Sequence, residues 1–191
     1  MTGPDLILAS ASPRRRELLA RLGLEPSAIA AAEIDESPLK AELPRVYAAR
    51  MAREKAVAVP GGAAFVLAGD TVVALGRRIL PKTEDAATAR HCLKLLSGRR
   101  HRVLSAIALK YPDGTLRERL SETIVRFKVL SPAEIEAYIA GGEWSGKAGG
   151  YAIQGSAEGL VAWISGSHSG VMGLPLFETR ALLKSAGFAL G

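Results

Sequence analysis

LILASASPRRREL, from Leu6 to Leu18, joins a short apolar run to three consecutive arginines through a turn that contains serine and proline. The apolar run predicts a buried strand, and Ser12 followed by Pro13 is typical of a capped helix start. Gly23 stands where that helix would end. A strand that passes directly into a helix favours an α/β fold. Because adjacent like charges repel, three guanidinium groups at this junction need an anion or abundant water nearby.

The rest of the chain alternates helical and strand-like segments. Helices are predicted over residues 44–60, 83–98, 131–143 and 175–187. The apolar run before Asp70 reads as a strand that ends at this acidic residue, with a hairpin through Gly76. Residues 102–111 and 120–130 are strand-like and flank the turn PDG, which predicts an antiparallel pair. We therefore expect a mixed sheet flanked by helices.

Composition limits the class of protein. The chain has 191 residues, 48% of them hydrophobic and 23% charged, which predicts one domain over residues 1–191 with a substantial core. Its net charge of +6 favours an anionic partner, such as nucleic acid, a membrane surface or a small phosphate compound. A single cysteine, Cys92, predicts a cytoplasmic protein. The apolar run at the N-terminus has no preceding basic segment and predicts a core strand rather than a signal peptide.

The helical spacing of the three arginines separates their predicted roles. Arg14 and Arg15 precede Leu18 by three or four residues, on the side that would pack against the sheet, whereas Arg16 falls on the other side. The first two would then lie at a helix N-terminus, where free backbone N–H groups favour a phosphate. The alternative is a solvated basic face made by all three.

Three further residues are candidates for chemistry. Asp70, directly after an apolar strand, would lie at the mouth of the sheet as a metal ligand or general base, unless it forms a local turn with Thr71. Lys55 shares a helix face with Ala48 and Met51, which indicates either an amine that reaches inward or a stem that snorkels. Lys82 and Glu36 taken alone indicate only surface residues.

Several familiar sites are excluded by their missing motifs. The chain has no G-x-x-x-x-G-K-[ST] loop, no G-x-G-x-x-G after a strand and no zinc deaminase signature. Three scattered histidines and one cysteine do not indicate a zinc site. Aromatic residues make up 5% of the chain and do not interleave with the basic ones, which argues against a single-strand-binding surface. No apolar run approaches the roughly 20 residues of a membrane helix.

Eight short motifs follow one another along the chain: LASASPRRREL, EIDES, AREKA, AGDTVV, PKTEDA, LSGRRHRVLSAIAL, GEWSGKAGGYAIQG and GVMGLPL. In this order and spacing they resemble the Maf family of nucleoside triphosphate pyrophosphatases, over nearly the whole chain. The resemblance implies a Maf/ITPase-like α/β fold, with a mixed twisted sheet flanked by helices and a central cleft between two lobes. It also implies cleavage of a nucleoside triphosphate to the monophosphate and pyrophosphate with a divalent cation, Mg²⁺ or Mn²⁺.

The resemblance also assigns roles to individual positions. It implies that Ser10, Arg14 and Arg15 hold the phosphates, and that Gln154 in YAIQG is a cleft glutamine that contacts the substrate. Glu36 and Asp70 would be the metal ligands and would organise the attacking water. Lys55 and Lys82 would stabilise charge during catalysis. These implied roles answer the question raised by the arginines, because a triphosphate would lie across the helix start.

The segment KAGGYAIQG resembles the subgroup that acts on dTTP and UTP rather than the one that acts on 7-methyl-GTP. Two positions depart from the family pattern. Thr83 stands where the family has a proline after Lys82, and the family's GSYSNVVGLPL reads GSHSGVMGLPL here, with His168 and Gly170. We expect these departures to affect substrate preference sooner than they affect activity itself.

Two rival functions remain open at this level. The positive charge suits a basic nucleic-acid-binding regulator, although the basic residues are dispersed and no helix-turn-helix or zinc module is present. A nucleotidyltransferase shares arginines at a strand end and an acidic metal site, but would require a second substrate. The favoured partner is therefore a nucleoside triphosphate substrate. We expect binding neither to a membrane nor to nucleic acid, and a homodimer is left open.

Overall fold

A computed structural model describes residues 4–191, and a mixed sheet flanked by helices forms its centre. The strands are β1 (Leu6–Leu8), β2 (Ala28–Ile29), β3 (Phe65–Leu75), β4 (Arg78–Leu80), β5 (Lys82–Thr83), β6 (Arg100–Lys110), β7 (Leu116–Phe127), β8 (Lys147–Ala148) and β9 (Val161–Ser165). The α-helices are α1 (Pro13–Ala20), α2 (Pro44–Ala58), α3 (Ala86–Leu96), α4 (Pro132–Ala140), α5 (His168–Met172) and α6 (Leu176–Ser185). A 3₁₀ turn spans Ser156–Leu160. The predicted fold class is confirmed.

The main sheet has the strand order β2-β1-β3-β6-β7-β9, and β4 pairs with β3 as a hairpin. β1 runs parallel to β2 and to β3, whereas the neighbouring pairs β3–β6, β6–β7 and β7–β9 are antiparallel. The predicted hairpin through Gly76 and the predicted pair across PDG are both present. Strands β5 and β8 form a separate two-stranded sheet. Within residues 4–191, no helix is long and apolar enough to cross a membrane.

The first helix begins as predicted at Pro13, but its cap differs from the prediction. The Ser12 side chain makes no capping hydrogen bond. Instead, the carbonyl oxygen of Ser12 accepts the N–H groups of Arg15 and Arg16, at 3.2 and 3.4 Å. The Ser12 carbonyl therefore accepts two N–H groups of the first turn, and the serine hydroxyl accepts none of them. Gly23 follows the helix with a positive φ of 73°, a conformation that suits glycine.

The position of Asp70 corrects the prediction that it ends its strand. β3 continues through Asp70 to Leu75, because Val66–Ala74 pair without interruption with residues 102–110 of β6. Asp70 is 4% exposed. A buried carboxylate in a strand is tolerated when a cation compensates its charge, and a lysine from α2 does so here. The residue therefore lies in the sheet itself rather than at its mouth.

One edge of β3 is open in the middle, and this gap creates the cavity. β1 pairs with Phe65–Leu67 and β4 pairs with Val73–Leu75, so in residues 4–191 no strand pairs with 68–72 on this edge. Side chains alternate along a strand, so Ala68, Asp70 and Val72 face α2, while Gly69 and Thr71 face the opposite layer. Two apolar clusters, one on each face, form the core. Groups from both faces can reach the gap.

Candidate active site

A cavity of about 320 Å³ lies at the gap in the sheet. The end of β1, the start of α1, the loop before α2, the middle of β3, the β5–β8 pair and α5 all contribute to its walls. Seven of the eight predicted site residues line it: Ser10, Arg14, Arg15, Glu36, Lys55, Asp70 and Lys82. The tertiary structure thus brings together side chains from segments up to 72 positions apart, since Ser10 and Lys82 are among them.

Two lysines and two carboxylates alternate along one side of the cavity. Lys55 Nζ lies 2.7 Å from Asp70 Oδ1 and 2.9 Å from Glu36 Oε1. Lys82 Nζ lies 2.6 Å from Glu36 Oε2. Lys55 therefore bridges both carboxylates, and Glu36 bridges both lysines. Each charge in this row is compensated by its neighbour.

Burial increases from Lys82 towards Asp70. The side chains of Lys55 and Asp70 are 9% and 5% exposed, whereas that of Lys82 is 54% exposed. Lys55 lies on the buried face of α2 with Ala48 and Met51, so it reaches inward as one of the two sequence interpretations proposed. Burial alone would raise the pKa of Glu36, but its hydrogen bonds to Lys82 and Lys55 outweigh this effect and lower the pKa to about 2. Glu36 is therefore ionised at neutral pH.

The second side of the cavity is formed by the start of α1. Arg15 donates from Nε to the carbonyl oxygen of Gly173, at 2.8 Å, and from Nη1 to Ser10 Oγ, at 2.9 Å. Ser10 Oγ also accepts the N–H of Ser12, at 3.2 Å. Burial lowers the pKa of Arg15, and the nearby Asp70 charge opposes this effect. Arg15 thus joins α1 to the loop after α5 and also lines the cavity.

Arg14 and Arg16 separate as the helical spacing predicts. Arg14 is half-buried and lines the cavity, and burial lowers its pKa. The Arg16 side chain is 58% exposed and lies 3.4 Å from Glu25 Oε2, outside the cavity wall. The interpretation of a solvated basic face therefore holds for Arg16 alone.

Lys147 is a cavity residue that the sequence analysis did not single out. It lies in β8 opposite Thr83, and its Nζ donates to the carbonyl oxygen of Ser145, at 2.7 Å. Burial and the charge of Arg14 lower its pKa. Among residues 4–191, no carboxylate lies within 4.0 Å of the charged groups of Arg14, Arg15 or Lys147. Its position in the glycine-containing segment SGKAGG was the available signal, because a Cβ at Gly149 would lie 2.7 Å from Val73 Cγ1, too close for the segment to pack there.

At the departures from the family pattern, Thr83 and Gly170 make hydrogen bonds with other segments. Thr83 is fully buried, and its hydroxyl donates to the carbonyl oxygens of Trp144 and Lys147, at 2.7 and 3.2 Å. This contact ties β5 to β8 and leaves Lys82 in the cavity wall. His168 begins α5, and the carbonyl oxygen of Gly170 accepts the Ser105 hydroxyl. Neither departure removes a predicted residue from the cavity.

Gln154 differs from the other predicted residues. It is exposed and is not part of the cavity wall, although Tyr151, three residues earlier, is. The Tyr151 hydroxyl contacts His101 Nε2 at 2.8 Å on the buried side of the sheet, and burial lowers the pKa of His101 to about 4. The structure therefore brings Tyr151 to the cavity and does not bring Gln154 there. A substrate contact by Gln154 stays a prediction.

A divalent cation would find carboxylate oxygens in this cavity, the donor type that Mg²⁺ and Mn²⁺ take. Those of Glu36 and Asp70 both contact the Lys55 ammonium. Within residues 4–191, no three His, Cys, Asp or Glu side chains are grouped to hold a metal ion. The two carboxylates therefore fit a cation whose remaining ligands come from substrate phosphates, as is common for Mg²⁺.

Comparison with known proteins agrees with the motif order. The family model described as Maf-like protein matches residues 5–186. A dTTP/UTP pyrophosphatase of Novosphingobium aromaticivorans is 70% identical over 96% of this chain and 92% of that protein. A dTTP/UTP pyrophosphatase of Rhodospirillum rubrum is 62% identical over 100% of this chain and 91% of that protein. The solved Staphylococcus aureus Ham1 protein is 12% identical, with a TM-score of 0.45, over 64% of this chain and 71% of that one. The extent of the family match and the identity to these relatives show that the chain belongs to the Maf family.

Proposed function

We propose that this protein hydrolyses nucleoside triphosphates, with dTTP and UTP as preferred substrates, to a nucleoside monophosphate and pyrophosphate. One observation carries the proposal: a row of alternating carboxylates and lysines lines the same cavity as Arg14, Arg15 and Lys147, which have no carboxylate partner within residues 4–191. The names of the relatives, dTTP/UTP pyrophosphatase, support the same reaction.

The cations at the start of α1 suit a polyanion. Arg14, Arg15 and Lys147 are brought together although like charges repel, and a bound triphosphate would compensate them. The start of α1 lies in the same cavity wall, and the dipole at a helix N-terminus favours an anion. Fixed positive groups also stabilise the negative charge that develops on a leaving pyrophosphate. We therefore assign the phosphate chain to this side.

The carboxylates suit activation of water. In the proposed reaction, a water attacks the α-phosphorus, its proton passes to Asp70, and the bond to the bridging oxygen of the leaving pyrophosphate breaks. Lys55 lies beside Asp70 and would offset charge near the reacting phosphate. Lys82 is the more exposed lysine, and we assign it to a phosphate oxygen at the mouth of the cavity.

We also propose that Glu36 and Asp70 hold Mg²⁺ or Mn²⁺ together with phosphate oxygens of the substrate. When bound, such a cation neutralises phosphate charge. Lys55 has to yield part of its contact with the two carboxylates to make room, and its long stem allows that movement.

A nucleotide panel with Mg²⁺ and with Mn²⁺ tests the proposed function. UTP should give UMP and intact pyrophosphate, detected by chromatography and by a pyrophosphate-specific assay, without any added acceptor. The expected order is UTP and dTTP ahead of GTP and ATP, because a base-specific hydrogen bond left unpaired costs about 1–3 kcal/mol.

Three outcomes of the panel contradict parts of the proposal. UDP and orthophosphate as main products would exclude attack on the α-phosphorus. A requirement for a second substrate would favour a nucleotidyltransferase. Faster hydrolysis of 7-methyl-GTP than of UTP would overturn the substrate preference and leave the reaction type intact.

Replacing Lys147 by methionine should weaken binding of the phosphate chain. Methionine keeps most of the stem and removes the charge, so KM for UTP should rise about 10-fold or more, as expected for the loss of a charged hydrogen bond. The inhibition constant of pyrophosphate should rise with it, and that of UMP should not. Lys184→Met, at an exposed position of α6, is the matched control. Equal pyrophosphate inhibition in wild type and Lys147→Met would remove Lys147 from the phosphate site.

A further inference from the structure

The segment that carries Glu36 has no helix or strand of its own. Residues 30–43 connect β2 to α2 and contain only turns and irregular backbone. A carboxylate on such a segment is placed only as well as the segment is attached to the rest of the fold. Glu36 nevertheless contacts Lys55 and Lys82 at 2.9 and 2.6 Å. Something else in the structure must hold it in place.

The attachments come from the N-terminal half of α2. The Tyr47 hydroxyl donates to the carbonyl oxygen of Glu36, at 2.7 Å. Arg50, one turn later, donates from Nη2 to the carbonyl oxygen of Ser37, at 3.1 Å. These two helix residues therefore form hydrogen bonds to consecutive carbonyl groups of the segment. The same helix carries Lys55, so α2 supports both partners of the Glu36–Lys55 contact.

Arg50 also connects two parts of the segment, Ser37 and Glu42, to each other. Its Nε and Nη2 donate to the two carboxylate oxygens of Glu42, both at 2.7 Å. Glu42 Oε2 in turn accepts the N–H of Leu39, at 2.9 Å. One guanidinium thus connects α2 with Ser37 and, through Glu42, with Leu39. A two-point contact of this kind restricts orientation as well as distance.

Burial makes this contact more than a surface ion pair. The side chains of Arg50 and Glu42 are 17% and 4% exposed. By contrast Arg53, on the same helix, also makes a two-point contact with Glu118, at 2.6 and 3.0 Å, but their side chains are 54% and 29% exposed. Exposed pairs are screened and contribute little. Arg53 therefore provides a control of the same residue type, on the same helix, with no link to Glu36.

We propose that Arg50, acting with Glu42 and Tyr47, is a positioning residue that holds the Glu36 segment so that the Glu36 carboxylate meets Lys55 and Lys82. Arg50 does not line the cavity and has no contact with substrate in this role. The kinetic part of the inference rests on the proposed hydrolysis of nucleoside triphosphates. The placement of the segment does not depend on it.

A double-mutant cycle tests the inference with UTP as substrate. Arg50→Met should lower kcat/KM by about 10- to 100-fold, the range expected when a reacting group is displaced by about 1 Å. In a Glu36→Gln background the same replacement should have much less effect, because the carboxylate that Arg50 positions is already absent. Arg53→Met should stay close to wild type in both backgrounds. An equal loss from Arg50→Met in both backgrounds would overturn the proposal.

Two further measurements keep the test decisive if Arg50→Met folds poorly. Tyr47→Phe removes only the hydroxyl that holds the Glu36 carbonyl, and its smaller loss of activity should also depend on Glu36. Hydrogen exchange should be faster in residues 30–43 of Arg50→Met and Glu42→Gln than in Arg53→Met, whatever the activity. Unchanged exchange in both variants would overturn the proposal. If exchange is faster in these variants but the wild-type protein does not hydrolyse UTP, the result would support the attachment and contradict the proposed function.

Discussion

Replacing Asp70 by asparagine should lower kcat for UTP by about 10²-fold or more, as loss of a general base or a metal-binding carboxylate does. Asparagine keeps the shape of the side chain and removes its negative charge. Asp70 is the more buried of the two carboxylates in the cavity wall, on β3, whose edge has no partner strand there within residues 4–191. We expect no compensation by Glu36, which lies on the far side of Lys55. The measurement is steady-state hydrolysis at saturating Mg²⁺ and Mn²⁺.

The control for this prediction is stability, because the same replacement leaves the buried Lys55 with Glu36 as its remaining carboxylate partner. Removing one member of a buried ion pair can cost about 3–5 kcal/mol of folding free energy. Thermal melts must therefore accompany the kinetics, with assays well below each Tm. Glu118→Gln, in the exposed pair with Arg53, controls for loss of a carboxylate elsewhere. Turnover close to wild type in a folded Asp70→Asn protein would remove Asp70 from the mechanism.

Alanine replacements at the three consecutive arginines should give sharply different results. Arg14→Ala and Arg15→Ala should each lose about 2–4 kcal/mol of transition-state stabilisation, roughly 30- to 10³-fold in kcat/KM, as expected for a charged phosphate contact in a sheltered site. Arg16→Ala should be nearly silent, because that side chain is exposed and pairs with Glu25. Helix propensity cannot produce this contrast, since alanine is favourable at all three positions.

The structure adds a distinction between the two active arginines. Arg15 donates to the Gly173 carbonyl and to Ser10, so Arg15→Ala should also lower Tm, whereas Arg14→Ala should melt close to wild type. The experiment combines kcat/KM for UTP with a thermal melt of each variant. Equal kinetic effects at all three positions, or a dominant effect of Arg16, would contradict the phosphate site at the start of α1.

Sequence patterns predicted correctly those features that depend on interactions between residues close together in the chain. The helix start at Pro13 follows from its serine–proline signature and the outward position of Arg16 from helical periodicity, and the structure confirms both. For Lys55, periodicity left an inward amine and a snorkelling stem open, and the structure shows the inward amine. The hairpin at Gly76 and the turn at PDG follow from turn chemistry in the same way. The identities of the cavity residues came from the resemblance to a family, because no local pattern brings Glu36 to Lys82.

The errors and omissions concern contacts between distant segments. Asp70 was predicted to end a strand, but β3 continues through it. A buried carboxylate at that position is tolerated because the ammonium of Lys55, 15 residues away, compensates its charge. Arg50 and Glu42 are only eight residues apart, so their contact could be expected from the sequence. The burial of their side chains could not, because it depends on the surrounding fold. The position of Lys147 depends on the pairing of β8 with β5. This pairing is only two residues long in each strand, so no periodicity in the sequence predicts it.

By itself, the sequence determined the α/β class, the main helices and the long antiparallel strands, because these follow from periodicity and turn residues within a few positions. The tertiary structure alone decided how the residues named by the family resemblance come together in space. It left one edge of β3 open between β1 and β4, and it gathered charges from both faces of the sheet at that gap. The carboxylates and lysines of the row are costly to bury singly and are compensated by their neighbours in the row, so their positions depend on the complete fold rather than on any one segment.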